Sequence, residues 1–205
     1  MRRLVILLFI ACGARSAAAQ DSTSAHAWSF NASVWGYTVP QDNDYLSPTV
    51  LADHGWLHLE GRYNYEAMNT GSAWFGYNFS FGHKVTVDFT PIAGAVIGGL
   101  TGAAPGYELT VEWWKLSFAS DGEYVFDFGD RENDFFYNWS QLGITPVEWL
   151  ELGISIQRTQ AYQTERDIQR GFFATLIWHQ FNAGAYVFNP DDPTPTVIIA
   201  LGAEF

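Results

Sequence analysis

The feature that most constrains this chain is a two-residue alternation of apolar and polar side chains, which recurs along most of its length. In segment 55–67, Leu57, Leu59 and Tyr63 alternate with charged or polar residues. Successive side chains of a β-strand point to opposite faces, so the pattern predicts strands with one apolar and one polar face. A helical period of 3.6 is not sustained over any useful window. We therefore expect an all-β protein.

Turn signals between the alternating segments divide the chain into ten predicted strands. Tight turns are expected at 81–84, 120–123 and 144–147, where Gly or Pro lies beside polar residues. Longer connections are expected at 39–53, 159–169 and 189–195, and the glycine-rich stretch 94–106 is expected to be a mobile turn. The ten strands are 28–38, 55–67, 71–81, 84–96, 107–119, 123–141, 147–158, 170–180, 182–189 and 196–205. Eight or twelve strands remain alternatives, since the acidic run 129–134 could divide the sixth strand.

Residues 1–19 have the pattern of a cleaved secretory signal. A basic start at 2–3 precedes the apolar run 4–10, and small residues end in Ala-Ala-Ala at 17–19. That run is too short for a spanning helix, which takes about 20 residues. Cleavage would remove Cys12, the only cysteine, and leave 20–205 as one domain without disulfides. A loose lipoprotein box ending at Cys12 is the less favoured alternative.

The charge balance excludes one class of partner. The chain has 22 acidic and 10 basic residues and a formal net charge of −12. Nucleic-acid binding requires the opposite sign, so no nucleic-acid partner is expected. An acidic chain is compatible with divalent cations or with a lumen and loops exposed to water.

Alternation alone leaves open which way the apolar face points. A soluble carrier turns this face inward, whereas a membrane barrel turns it toward lipid. Aromatic residues make up 17% of the chain, and the narrow interior of a small barrel would be overfilled by so many rings. Some also lie near predicted strand ends, as in the interfacial girdles of membrane barrels: Trp28, Tyr65, Tyr107, Trp149 and Trp178. We therefore expect a closed antiparallel transmembrane β-barrel.

The last predicted strand supports the same conclusion. Its apolar face carries Val197, Ile199, Leu201, Ala203 and Phe205, and the chain ends on that aromatic residue. This strand resembles the C-terminal strand of outer-membrane β-barrel proteins of Gram-negative bacteria. The resemblance implies an outer-membrane location, recognition by the barrel-assembly machinery through Leu201, Ala203 and Phe205, and contact with the lipid bilayer and lipopolysaccharide.

Small residues on the opposite face of that strand, Ala200 and Gly202, suggest that open space in the lumen lies beside it. A basic stretch in the connection 159–169 includes Arg166, and Arg170 follows it. If extracellular, these two side chains could contact lipopolysaccharide phosphates. The favoured alternative is a solvated hairpin tip whose charges are neutralised by nearby pairs.

The candidate functional residues lie on the polar face of segment 55–67. His58, Glu60, Arg62, Asn64 and Glu66 alternate with apolar residues there and would point into the lumen of a membrane barrel. Neighbouring strands are expected to add Glu108, Glu112 and Arg158. Paired charges of this kind can simply fill a narrow lumen, or they can set the selectivity of a pore. The predicted function is a structural barrel or a narrow, gated channel for small polar solutes or ions.

Two other functions remain open. Outer-membrane barrels include lipid-modifying and hydrolytic enzymes, but no motif of those families is found, so we expect no enzyme and no catalytic residues. A soluble periplasmic barrel that binds apolar ligands is the second alternative. No metal or cofactor is expected, because His54 and His58 lie four residues apart on a strand, about 13 Å.

Overall fold

The structure, a computed structural model, describes residues 27–38, 43–161 and 167–205, without the side chains of residues 160 and 161. The predicted signal and Arg166 lie outside the described residues. Within the described ranges, no helix is long and apolar enough to cross a bilayer, and a short 3-10 helix occupies Arg131–Asn133. The strands are β1 (Ser29–Thr38), β2 (Tyr45–His54), β3 (Leu57–Tyr63), β4 (Thr70–Tyr77), β5 (Phe79–Gly82), β6 (Val85–Gly98), β7 (Gly102–Trp113), β8 (Leu116–Asp127), β9 (Phe135–Val147), β10 (Leu150–Ala161), β11 (Asp167–Trp178), β12 (Phe181–Phe188) and β13 (Thr196–Glu204).

The strands form a closed antiparallel barrel. Apart from β5, each strand pairs with the ring strands before and after it in sequence, and β1 pairs with β13, which joins the two ends of the chain. Twelve strands make the ring, and the short β5 is additional to them: β4 and β5 both pair with β6 in one continuous register. The predicted closed antiparallel barrel is thus confirmed, but the number of strands is twelve rather than ten.

One of the additional strands is β2, which the sequence analysis assigned to a polar connection. The alternation is present there, with Ser47 and Thr49 buried and Leu46 and Val50 exposed. Two of its inward residues, Ser47 and Thr49, are small and polar and Pro48 interrupts the run, so this part of the segment is typical of a loop by composition.

The second additional strand comes from the region 102–147, which holds β7, β8 and β9. The predicted turn at 120–123 is wrong, since these residues lie in the middle of β8. The chain turns instead at 114–115, where Trp114 has a positive φ of 55°. An Asp-Gly pair favours a hairpin locally, but here Gly122 lies under the ring of Tyr107. The glycine-rich stretch 94–106 is likewise mostly strand, belonging to β6 and β7.

The two ends of the barrel differ. At one end five connections are two-residue turns, at 55–56, 83–84, 114–115, 148–149 and 179–180. The opposite end has connections of three or more residues, such as 64–69, 128–134 and 189–195. Outer-membrane barrels have short periplasmic turns and longer extracellular loops. We refer to these as the short-turn end and the loop end.

Tryptophan residues mark the short-turn end. Six of the nine are exposed there: Trp28, Trp56, Trp113, Trp114, Trp149 and Trp178. The other three, Trp35, Trp74 and Trp139, are buried inside the barrel. Exposed aliphatic and aromatic side chains cover the outer face between the ends, as expected of a surface in lipid. Two residues predicted for the interfacial girdle lie elsewhere. Tyr65 is buried inside the barrel, and Tyr107 lies in the middle of the outer face of β7.

The close approach of Tyr107 to Gly122 gives a test of this packing. A Cβ atom at Gly122 would lie 2.6 Å from the Tyr107 ring, and the Tyr107 hydroxyl accepts a hydrogen bond from Asn138 at 3.1 Å. We expect Gly122→Ala to lower the free energy of unfolding by about 1–3 kcal/mol, the usual range for overpacking. Urea unfolding of the barrel in lipid vesicles measures it. Gly61→Ala is the matched control on the outer face, because its Cβ would make an ordinary 3.5 Å contact with Val50; equal losses in both variants would contradict this packing.

Candidate functional site

Inside the barrel, Arg62 connects two strands that are not neighbours. Its Nη2 atom donates to Glu60 Oε2 at 2.5 Å, and its Nη1 atom donates to Glu123 Oε2 at 3.0 Å. Glu60 and Arg62 lie on β3 and Glu123 lies on β8, and β4, β6 and β7 separate these strands in the ring. The guanidinium group therefore crosses part of the lumen rather than pairing along its wall.

Further side chains surround the Arg62 guanidinium. The rings of Tyr65 and Trp74 lie 4.2 Å and 4.5 Å from it, within the range of cation–π attraction. Glu66 Oε1 lies 3.9 Å from Nη1, and the same carboxyl accepts hydrogen bonds from Ser72 and from Trp74 Nε1. Burial raises the pKa of the Glu66 carboxyl above its usual range, although Arg62 and Ser72 act in the opposite direction. Arg62 is thus held from several sides.

His58 is the second basic side chain in this part of the lumen. Its Nδ1 atom lies 2.9 Å from Asp53 Oδ1, and Asn78 donates to the same oxygen at 2.7 Å. A carboxylate only accepts hydrogen bonds, so Nδ1 carries a proton. The other nitrogen, Nε2, lies 3.9 Å from Glu60 Oε2 and 4.0 Å from Glu108 Oε2 and has no hydrogen-bond partner among the described residues.

These residues form one group, which we call the charged cluster: His58, Glu60, Arg62, Glu66, Glu108, Asp121 and Glu123. All except Glu108 are buried, and five of the seven are acids. Burying charges without partners is costly, and Arg62 is the one arginine in the cluster. The cluster therefore has more acidic than basic side chains.

Aromatic side chains occupy the lumen beside the opposite wall. The ring of Trp139 lies 5.8 Å from that of Trp35, 5.4 Å from Tyr186 and 5.2 Å from Phe188. Phe173 stacks on Tyr186 at 5.3 Å. We call these five residues the aromatic cluster. Its members share one buried core with apolar residues nearer the loop end: Val96, Leu100, Val125 and Phe135. These side chains therefore form a packed core inside the described barrel.

A recess remains below the aromatic cluster, at the short-turn end. Glu151, Thr175, Asn182, Tyr186 and Ala200 are among its lining residues. Its position beside β13 matches the expectation that open space lies near the small residues of the last strand. The recess has a partly polar lining and ends at the aromatic cluster.

The structure brings some of the predicted lumen residues together and separates others. His58, Glu60, Arg62, Glu66 and Glu108 lie in the charged cluster. Glu112 lies nearer the short-turn end of β7, outside the cluster.

Two predicted lumen residues lie elsewhere. Asn64 is in the connection after β3, with a positive φ of 54°, where it donates to the Leu46 carbonyl and accepts from the Asn69 amide. Arg158 alternates with the buried Gln157 and is on the outer face of β10, because adjacent side chains of a strand point to opposite sides. These placements differ from the lumenal positions expected for both.

The proposed assembly signal is at the end of β13. Leu201 and Phe205 are exposed on the outer face, and Ala203 pairs with Ala32 of β1. Phe205 exchanges two backbone hydrogen bonds with Phe30, at 2.9 and 2.8 Å. Recognition by assembly machinery stays a prediction.

Sequence reasoning missed Asp121 and Glu123 because it placed them in a turn. A signal was present: Phe118, Tyr124 and Phe126 share the outer face of β8, and the acids have the opposite parity. It also missed the three buried tryptophans as lumen residues, since aromatic residues on strands were expected to face lipid.

The closed ring, the apolar outer face and the tryptophan belt together define a transmembrane β-barrel with aromatic and mostly acidic side chains packed inside it. No protein-family model matches the chain, and no curated protein matches it. Among solved structures, the KdgM porin superposes with a TM-score of 0.60 at 14% identity, covering 85% of this chain and 98% of the porin. KdgM porin in complex with disordered oligogalacturonate has a TM-score of 0.56 at 11% identity, covering 86% of this chain and 98% of the porin. The chain thus has the barrel fold of bacterial outer-membrane porins.

Proposed function

We propose that this protein is an outer-membrane channel for small polar solutes and ions that prefers cations to anions. Its lumen is closed at mid-height by side chains and conducts when these rearrange. The observation that carries the proposal is the charged cluster, in which five carboxyl groups, one guanidinium and one imidazole lie across the lumen of a porin-type barrel. Rings of acidic side chains favour cations in channels.

The same charge distribution argues against a polyanionic substrate. One structural neighbour is a porin bound to oligogalacturonate, an acidic oligosaccharide. Here the lumen has an excess of carboxylates, and an anionic sugar chain would meet like charges at the charged cluster. The permeant species of this channel are therefore small and neutral or cationic.

Gating follows from how the lumen is filled. Arg62 is held by Glu60 on its own strand and by Glu123 across the lumen, at 2.5 and 3.0 Å. Release of the Arg62–Glu123 contact removes the side-chain link between β3 and β8 across the lumen. The backbone hydrogen bonds between paired strands are not broken. A side-chain gate of this type opens while the barrel stays intact.

Reversal potentials in planar bilayers test the selectivity. With a gradient of KCl, the refolded protein is expected to show conductance steps and a reversal potential of the sign given by potassium permeation. Glu60→Gln and Glu108→Gln, at two carboxyls of the charged cluster beside His58, should each reduce the preference for cations several-fold by weakening the field in the lumen. Asp192→Asn, in the exposed connection after β12, is the matched control and should leave selectivity unchanged. Anion selectivity, or no conductance at any voltage, would contradict the proposal.

A further inference from the structure

We propose that the lumen binds one divalent transition-metal ion, of the chemical class of Zn²⁺, between His58 Nε2 and the carboxylates of Glu60 and Glu108. These three side chains each offer a ligand atom, and the three atoms lie within 4.8 Å of one another. Imidazole nitrogen and carboxylate oxygen are both ligands of zinc, and three protein ligands leave a fourth position for water. This site goes beyond the proposed channel function.

The orientation of His58 is the strongest observation. The imidazole is fully buried, and Asp53 fixes it through Nδ1 at 2.9 Å. The Nε2 atom then lies between Glu60 and Glu108 and has no hydrogen-bond partner among the described residues. A metal ion would bind there in place of a proton on Nε2. A metal-bound histidine usually donates its other N–H to a carboxylate or carbonyl, and Asp53 supplies that carboxylate. Asn78 in turn holds Asp53 at 2.7 Å.

The distances suit an ion after a small adjustment. His58 Nε2 lies 3.9 Å from Glu60 Oε2 and 4.0 Å from Glu108 Oε2. Tetrahedral zinc with bonds of about 2.0–2.2 Å places its ligand atoms roughly 3.3–3.6 Å apart. Rotation of the two carboxylates closes the difference. The Glu108 side chain is 21% exposed, so the ligand set lies next to solvent.

The charge of the surroundings favours a cation at this position. Asp121 and Glu123 are also buried nearby, and Arg62 is the one arginine of the charged cluster. Because Arg62 Nη2 binds Glu60 Oε2, Glu60 would be shared between the guanidinium and the metal. Two further positive charges reduce the acidic excess that burial makes costly.

The spacing of the histidines predicted no metal site, but the structure brings other ligands beside His58. His54 and His58 lie too far apart along a strand to bind one ion, whereas Glu60 shares the inner face of β3 with His58 at two residues' distance. Glu108 comes from β7, which β4 and β6 separate from β3. A bound ion would therefore link two strands that form no hydrogen bonds with each other.

Titration of the refolded, full-length barrel in detergent, without a polyhistidine tag, tests the site. Zn²⁺ binding by calorimetry is expected to show one site per chain, and Co²⁺ should give the visible absorption of a tetrahedral complex. His58→Asn and Glu108→Gln should each weaken Zn²⁺ binding more than tenfold. The matched controls are His179→Asn, in a short turn, and Glu112→Gln, on the same face of β7 as Glu108; both should bind as the unaltered chain does.

Heat-modifiable migration in gels reports whether each variant is folded. If His58→Asn fails to fold, the Glu108→Gln variant alone tests the metal site. Its side chain is at the edge of the charged cluster, where it is partly exposed. Unchanged affinity in the folded Glu108→Gln variant, or equal weakening in the controls, overturns the site and places the ion elsewhere. These measurements need no conductance, so the channel function and the metal site fail or succeed separately.

Discussion

Arg62→Ala is expected to lower the free energy of unfolding by about 3–5 kcal/mol, the range for removing one partner of a buried ion pair. The guanidinium donates to Glu60 and Glu123 at 2.5 and 3.0 Å and lies against the rings of Tyr65 and Trp74. Without it, two buried carboxylates lose their closest cation. Urea unfolding of the barrel in lipid vesicles, followed by tryptophan fluorescence, measures the change.

The matched control is the exposed pair Arg170–Asp191. Its atoms lie 2.8 Å apart, as close as those of the buried pairs, but the two side chains are 73% and 61% exposed. Arg170→Ala should therefore cost much less than Arg62→Ala. The triple variant Arg62→Met, Glu60→Gln, Glu123→Gln should recover much of the loss, since it also removes the unpaired charges. If Arg62→Ala cost no more than Arg170→Ala, the charged cluster would not stabilise the barrel.

Trp139→Ala is expected to open the lumen and to destabilise the barrel. Trp139 is 1% exposed and contacts the rings of Trp35, Tyr186 and Phe188. Its removal leaves a cavity next to the recess at the short-turn end, and truncations of this kind cost about 3–5 kcal/mol. In planar bilayers we expect conductance steps that are larger or more frequent than those of the unaltered chain.

Trp114→Ala is the control for this second variant. Trp114 is 85% exposed in a short turn, so its loss removes a contact with the membrane interface and leaves the lumen filled. Its conductance should equal that of the unaltered chain. If Trp139→Ala is folded and conducts no better than Trp114→Ala, the aromatic cluster does not close the lumen.

Much of the fold was predictable because the inward and outward alternation of a strand is a local property. Strands such as β6 and β10 have long, unambiguous alternation, and their predicted positions lie close to the observed ones. The prediction failed where local chemistry opposed the final position. Pro48 and the small polar residues of β2 are typical of a loop, and Asp121-Gly122 is typical of a hairpin, yet both segments pair on two sides in the closed ring.

The candidate site was predictable only in part. His58, Glu60 and Arg62 share one face because they are spaced by two residues, and the sequence shows this directly. Their partners depend on which strands face each other across the lumen. Glu123 is 61 residues from Arg62, so no local pattern could identify it.

The sequence by itself determined an all-β chain with one apolar and one polar face, since strand parity needs only neighbouring residues. Closure of the ring decided which side chains meet inside the barrel. It sets the height of each side chain along the barrel and the strands that lie opposite it. It placed Trp139 in the lumen and Trp149 in the interfacial belt, although both are aromatic residues of the same region. It also brought Glu108 and Glu123 to the charged face of β3, where long-range charge pairing could act.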